Sequence, residues 1–207
     1  MNAVHRFDLA RLPATAWKNG GGTTREILSW PPDAGLDAFD WRVSVATIGA
    51  SGPFSAFTGV ARTIMLLDGD GVQLEGKGVQ HRLDVPHEPF AFDGDTPLAC
   101  TLLGTESRDF NVMARRARGT AEVRVLAARE TLDACTHGVL MALQGSCELA
   151  CEDSSPGEAL RFASGQGIWW AGSSPRWRVR PIEPQARCVF VNWRPREGGG
   201  QQWGSLR

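Results

Sequence analysis

The chain has 207 residues, enough for one large domain or two small fused ones, with the 42% apolar and 22% charged content of an ordinary globular protein. A net charge of −1 gives no global pull toward nucleic acid or an anionic membrane. The first twelve residues lack the apolar run of a signal peptide and no stretch is long enough to span a bilayer, so the expected compartment is the cytoplasm.

The first stretch that stands out is Trp17-Lys18-Asn19-Gly20-Gly21-Gly22-Thr23-Thr24-Arg25-Glu26-Ile27. Consecutive glycines permit φ angles that other residues rarely adopt, and they clear side chains from a patch of backbone. Exposed N–H groups in such a loop can form a concave nest for an anion. The plainer alternative is a hinge leading into a strand. The cation, amide, hydroxyls and arginine set around the glycines favour a ligand-site segment.

Beyond it, runs of four to eight residues alternate in character and are broken by Gly, Pro, Asp and Ser, which is an all-β pattern. In residues 41–48, Trp41, Val43 and Val45 fall on one face and Arg42, Ser44 and Ala46 on the other. Residues 49–55 read as a turn with Pro53 fixing φ. Residues 62–67 read as a buried strand, Asp68-Gly69-Asp70-Gly71 as a turn, and residues 72–75 as the hairpin partner. The best helical candidate is short, around residues 127–135. Residues 139–149 repeat the logic of residues 64–74: an apolar strand, a polar residue, a glycine turn and an alternating return strand. Such duplicated units fit two small barrels or jelly rolls in tandem. The expected division is 1–118 for a first barrel carrying the ligand pocket, 119–195 for a second, and 196–207 for a mobile tail.

The ordered motifs Trp17 to Ile27, Trp41-Arg42-Val43-Ser44, Gly52-Pro53-Phe54-Ser55-Ala56-Phe57-Thr58-Gly59, Arg62, Phe92-Asp93-Gly94-Asp95 and Asp109-Phe110-Asn111-Val112-Met113 resemble the HutD/Ves family. The resemblance is carried by the N-terminal half; the C-terminal half agrees in length and layout. It implies a bicupin, two tandem cupin-type β-barrels with few short helices. One branch of the family is associated with bacterial histidine utilisation and resembles a binder of formylglutamate that restrains the pathway. Another is associated with stress response.

Other chemistries find little support in the residues. Metal-binding cupins use a His-x-His pair followed by Glu and a later His. His5, His81, His87 and His137 form no such pair, so no metal and no cofactor is expected. Cys135, His137, Cys147 and Cys151 make four zinc ligands only on paper, without a tight knuckle. Cys100, Cys135, Cys147, Cys151 and Cys188 are five cysteines at irregular spacing, expected as reduced thiols. There is no Gly-x-Ser-x-Gly elbow and no Gly-Lys-Ser/Thr phosphate loop. Arg115-Arg116-Ala117-Arg118 is a short basic run in a near-neutral chain and reads as a solvated edge, with no nucleic-acid module around it.

What remains is a polar set that can converge on one pocket. Asp109, Asn111 and Met113 share a strand face, and so do Arg42 and Ser44. Arg25, Arg42 and Arg62 offer forked donors for carboxylates. Asn19, Asn111 and Ser44 can serve an amide or formyl group. With Trp17, Gly20, Gly21 and Thr23 these are the expected ligand contacts, for a small dicarboxylate carrying an amide; a homodimer is left open. The alternative is a metal-independent isomerase or hydrolase with Asp109 as general base. A metal-dependent cupin enzyme is a third reading.

Overall fold

The computed structural model describes residues 4–152, 159–172 and 176–196. In chain order its strands are β1 (Val4–Asp8), β2 (Ala14–Ala16), β3 (Gly22–Trp30), β4 (Trp41–Ile48), β5 (Gly52–Phe54), β6 (Val60–Gly69), β7 (Val72–Gly76), β8 (Val79–Leu83), β9 (Phe90–Asp93) and β10 (Leu98–Leu102). They continue with β11 (Ser107–Arg115), β12 (Gly119–Leu126), β13 (Glu130–Leu132), β14 (His137–Gln144), β15 (Ser146–Cys151), β16 (Leu160–Ala163), β17 (Gln166–Ala171), β18 (Trp177–Pro181) and β19 (Arg187–Pro195). A 3₁₀ turn at Leu9–Arg11 is the one helical element among the described residues.

Two of the four sheets belong to the first half of the chain: a six-stranded sheet ordered β2-β3-β4-β11-β6-β9 and a four-stranded sheet ordered β5-β10-β7-β8. The second half supplies a five-stranded sheet, β1-β17-β14-β19-β12, and a four-stranded one, β13-β18-β15-β16. The side-chain alternation along the longest strands decides how they stack. In β4 and β11, Trp41, Val43, Val45, Phe110, Val112 and Ala114 point away from the four-stranded sheet of their own half. They join Val139, Met141, Val189, Val191 and Trp193 in one core between the halves. Ile48, Ile64 and Leu66 point the other way, onto Val72, Leu74, Leu98 and Cys100. Leu140, Ala142, Cys188 and Phe190 likewise face Cys147, Leu149, Phe162 and Val179. The result is four layers with the two large sheets back to back in the middle. Each buried Val, Leu or Phe contributes roughly 1.5–3 kcal/mol of hydrophobic stabilisation.

The architecture is nearly all β, and hydrogen bonding closes none of the four sheets into a barrel. Four local expectations are corrected. Strand β7 pairs with β10 and β8, not with β6, so residues 64–74 are not a hairpin. The turn, with positive φ at Gly69 and Gly71, carries the chain from one sheet into the facing one. The second copy does the same, since β14 and β15 lie in different sheets and Gly145 supplies the positive φ. The helix expected around 127–135 is absent; Glu130–Leu132 pairs with β18. Residues 52–54 are an edge strand on β10, a position that tolerates Pro53. Finally, Cys147 and Cys188 are joined in a disulfide between β15 and β19, so not all the cysteines are free thiols.

The chain passes from β11 to β12 at residues 116–118, and β1 pairs with β17, which ties residues 4–8 to the sheet of the second half. The tail expected from residue 196 lies, from 197 onward, outside the described residues.

Candidate functional site

The glycine segment makes a tight turn into β3. Gly20 has a φ of +71°, a conformation natural to glycine, and its N–H donates to the Trp17 carbonyl at 3.0 Å. Gly21 N–H donates to Asn19 Oδ1 at 3.1 Å, and Trp17 N–H to the Gly22 carbonyl at 2.9 Å. The turn thus uses its own amides, and Gly20 and Gly21 leave no anion nest. Gly22 is required by close approach: a Cβ there would lie 2.3 Å from the Thr47 carbonyl and 3.2 Å from the Trp17 ring. Trp17 is anchored by its indole N–H on Thr24 Oγ1 at 2.8 Å. With Asn19 and Gly21 it walls a cleft of about 200 Å³ that reaches down to Ile48, Phe54 and Cys100.

Behind that cleft, the inner face of the six-stranded sheet carries a buried polar row beside the apolar Ile48, Ile64 and Leu66. Of the six buried polar residues among those described, five sit on this face: Ser44, Arg62, Ser107, Asp109 and Asn111. The register explains the grouping. Asn111 stands opposite Ser44 and Ile64, Asp109 opposite Ala46 and Leu66, and Met113 opposite Arg42 and Arg62. Arg42 and Arg62 therefore flank one position of β11. Arg42 Nε donates to Glu26 Oε2 at 2.6 Å and its Nη1 to Ser44 Oγ at 3.3 Å. Glu26 is 47% exposed while Arg42 is 12% exposed, so this pair marks the wet end of the row.

Arg62 lies deeper, at 4% exposure. Its Nη1 donates to the Ser55 carbonyl at 3.0 Å and its Nη2 to Asn111 Oδ1 at 3.2 Å. The rings of Phe54, Phe92 and Phe57 surround the guanidinium at 4.5, 5.0 and 5.3 Å. Its Nε is buried with no acceptor, and no carboxylate of the described residues pairs with it. Burial, with the like charge of Arg42 second, pulls its pKa down to about 9, which leaves it a cation at neutral pH. A buried charge without its counter-charge is costly, and neutral acceptors and ring faces offset only part of that cost.

Asp109 is fully buried, and its Oδ1 accepts from Ser107 Oγ at 3.4 Å while Oδ2 has no partner. Burial drives its pKa up to about 7; Ser107 opposes the rise and the charge of Asp68 adds to it. Cys100, on the cleft floor, is pushed up to about 11 by burial and then by Asp109, so its thiol stays protonated.

The structure therefore brings together Arg42, Ser44, Arg62, Asp109 and Asn111 in one interior row, with Trp17, Asn19 and Gly21 at the adjoining cleft. Phe54 touches both, since it lines the cleft and lies against Arg62. It does not bring in Thr23 and Arg25. They stand opposite Thr47 and Val45 on the other face of the sheet, and Arg25 Nη1 donates to the Leu12 carbonyl. Sequence reading passes over Glu26, the partner of Arg42, and the Phe54, Phe57 and Phe92 cage, although all four stand in the motifs quoted for the family.

The histidines do not suit a cupin-type metal set. His5 stacks on Trp169, His81 stacks on Phe90, His87 sits at a positive φ, and His137 is boxed by Trp30, Trp41 and Trp193. Among the described residues no three His, Cys, Asp or Glu side chains are grouped to hold an ion. The basic run is engaged locally: Arg115 with the Phe39 and Asp37 carbonyls, Arg116 with Asp93 and Asp95, and Arg118 with Asp40.

Back-to-back sheet pairs with a polar row buried in one half define a cupin-like, nearly all-β class of protein. The chain belongs to the HutD family, whose model matches residues 9–189. It is 37% identical over 192 residues to protein Ves of Citrobacter koseri, covering 91% of this chain and 94% of that one. Among solved structures, HutD from Pseudomonas fluorescens SBW25 superposes with a TM-score of 0.79 at 28% identity, covering 94% of this chain and all of that one (100%). A conserved protein of unknown function from Pseudomonas aeruginosa PAO1 superposes with a TM-score of 0.82 at 30% identity, covering 92% and 98%. A cupin 2 conserved barrel domain protein from Leptotrichia buccalis shares the fold alone, with a TM-score of 0.58 at 9% identity over 92% of this chain and 96% of that one. No helix among the described residues is long and apolar enough to cross a membrane.

Proposed function

We propose that this protein binds a small acidic metabolite in the interior of its N-terminal sheet pair and acts as a regulator in histidine utilisation. The leading ligand is formylglutamate. The observation that carries this reading is Arg62: a guanidinium at 4% exposure, protonated at neutral pH, with an unpartnered Nε and no carboxylate of the described chain beside it. A ligand carboxylate supplies the missing counter-charge through a charge-assisted bond. Arg42 at the wet end suits a second carboxylate, and Ser44 and Asn111 suit a formyl or amide group between the two. The name HutD, shared by the family and the Pseudomonas fluorescens structure, supports the link to histidine utilisation. We read the two sheet pairs as a duplicated cupin unit and the compartment as the cytoplasm. The test is calorimetric titration with N-formyl-L-glutamate, glutamate and urocanate; absence of binding at millimolar concentration refutes the reading.

A second reading is a metal-independent enzyme, favoured by the Asp109 carboxyl, which burial brings to about 7, the range of a general base at neutral pH. Incubation with the same acids and a search for turnover separates the two.

A further inference from the structure

Two orphaned atoms sit on the same interior face. Arg62 Nε has no acceptor, and Asp109 Oδ2 has no partner of either kind. Asn111 lies between them: it is two residues along β11 from Asp109, on the same face, and its Oδ1 holds Arg62 Nη2 at 3.2 Å. The isolated protein thus presents a forked cation and a carboxyl group on either side of one amide. On each, one atom, Nε or Oδ2, lacks a hydrogen-bond partner in a place closed to bulk water. Only an acceptor can complete Arg62. An acceptor also completes Asp109, provided that the carboxyl carries its proton.

We propose that Asp109 is a specificity-determining group of this site: as a neutral carboxylic acid it donates from Oδ2 to a carboxylate of the ligand that Arg62 holds from the other side, so that the ligand anion is bound only with the Asp109 proton in place. This rests on the reading of the site as one for an acidic metabolite, and it narrows that class to acids bound with protonation of the protein. An ionised Asp109 would instead set two carboxylates against each other in a buried site, a repulsive arrangement.

The surroundings agree. From β10 the group facing Asp109 is the Cys100 thiol, which stays protonated. From β4 and β6 the charged groups on the same face are Arg42 and Arg62, with Glu26 on β3 paired to Arg42. Asp68, farther along β6, is half exposed and ion-paired with Arg108; its charge disfavours ionisation of Asp109. With burial as the main cause, the carboxyl titrates at about 7, so the competent form falls from most of the molecules at pH 6 to a minority at pH 8.

The experiment is titration calorimetry of the full chain with N-formyl-L-glutamate at pH 6, 7 and 8, in buffers of different ionisation enthalpy. The ligand carboxylates stay ionised throughout. The wild type is expected to lose about tenfold in affinity from pH 6 to pH 8, since apparent affinity scales with the competent fraction, and to take up few protons on binding at pH 6 but nearly one per site at pH 8. Asp109→Asn keeps a donor that does not titrate, so it should bind with a flat pH profile. Asp109→Leu, with no donor, should bind at least tenfold more weakly than Asp109→Asn. A pH-independent wild type that takes up no protons, or an Asp109→Asn variant with the wild-type slope, overturns the inference while leaving the anion site standing. Absence of wild-type binding at every pH overturns both. The proton count is made on the wild type, so the outcome does not depend on how well either variant folds.

Discussion

Arg62 reaches 49 residues along the chain to Asn111, placing Nη2 3.2 Å from Oδ1, and this neutral amide stands where a buried ion pair would put a carboxylate. The difference has a thermodynamic consequence. Breaking a buried ion pair by removing one member typically costs about 3–5 kcal/mol, because the other charge is stranded. Replacing a guanidinium that has no counter-charge with an apolar side chain of similar length strands no charge. Arg62→Met is therefore expected to change stability by no more than about 1–2 kcal/mol in urea denaturation. A loss in the range of a broken buried pair would mean that Arg62 holds the sheets together rather than waiting for a ligand.

Asp109 makes the opposite kind of prediction. Its folded carboxyl titrates at about 7 against an ordinary value of 3.8. A raised carboxyl contributes stability that is complete below the unfolded value and is lost as pH rises through the folded one. Asp109→Asn abolishes that loss. The variant should match the wild type near pH 4 and exceed it at pH 8 by on the order of 4 kcal/mol. Urea midpoints at the two pH values check this, and parallel pH curves for the two proteins would contradict it.

The glycine turn separates two roles that look alike in the sequence. Gly21→Ala meets nothing closer than Asn19 Oδ1 at 3.4 Å and should be tolerated within about 1 kcal/mol. Gly22→Ala drives a methyl group to 2.3 Å from the Thr47 carbonyl, where β3 pairs with β4. It should cost about 2 kcal/mol or more and disturb the cleft wall at Trp17. Thermal melts of the two variants, with tryptophan fluorescence, read both effects.

The disulfide closes a loop between residues 41 apart and ties the two sheets of the C-terminal half together. Thiol titration of the unfolded protein should find three reactive thiols, those of Cys100, Cys135 and Cys151, which lie outside the disulfide, before reduction. All five cysteines should react afterwards. Cys188→Ala should lose about 3–4 kcal/mol, the stabilisation expected from a loop of this length. Five thiols without reductant would show the pair to be open.

How far the residues alone lead is clear from β4. Its two faces, Trp41-Val43-Val45 and Arg42-Ser44-Ala46, follow from the two-residue period of a strand and need no tertiary knowledge. What each face meets is another matter. Both are buried, one against the other half of the molecule and one inside its own, so hydrophobicity does not say which is the interior. The same limit misplaces Arg25. One residue from Glu26, it falls on the far face, and the bulge between Glu26 and Leu28 shifts the register that would have to be counted through. Glycine and aspartate at 68–71 announce that the chain reverses. They do not say whether it returns beside β6 or crosses to the facing sheet, because positive φ serves either path. The Arg62 cage was equally hidden: Phe54 and Phe92 approach it from separate strands that only the folded register brings near.

The claim on which the rest depends is that the buried Arg62 cation is there for an anion. The direct measurement is calorimetric titration of N-formyl-L-glutamate into the wild type and Arg62→Met at pH 6. The account predicts saturable binding to the wild type and at least a hundredfold loss in the variant, with the fold intact by circular dichroism. Equal affinity of the two proteins, or no binding to the wild type at millimolar ligand, would contradict it.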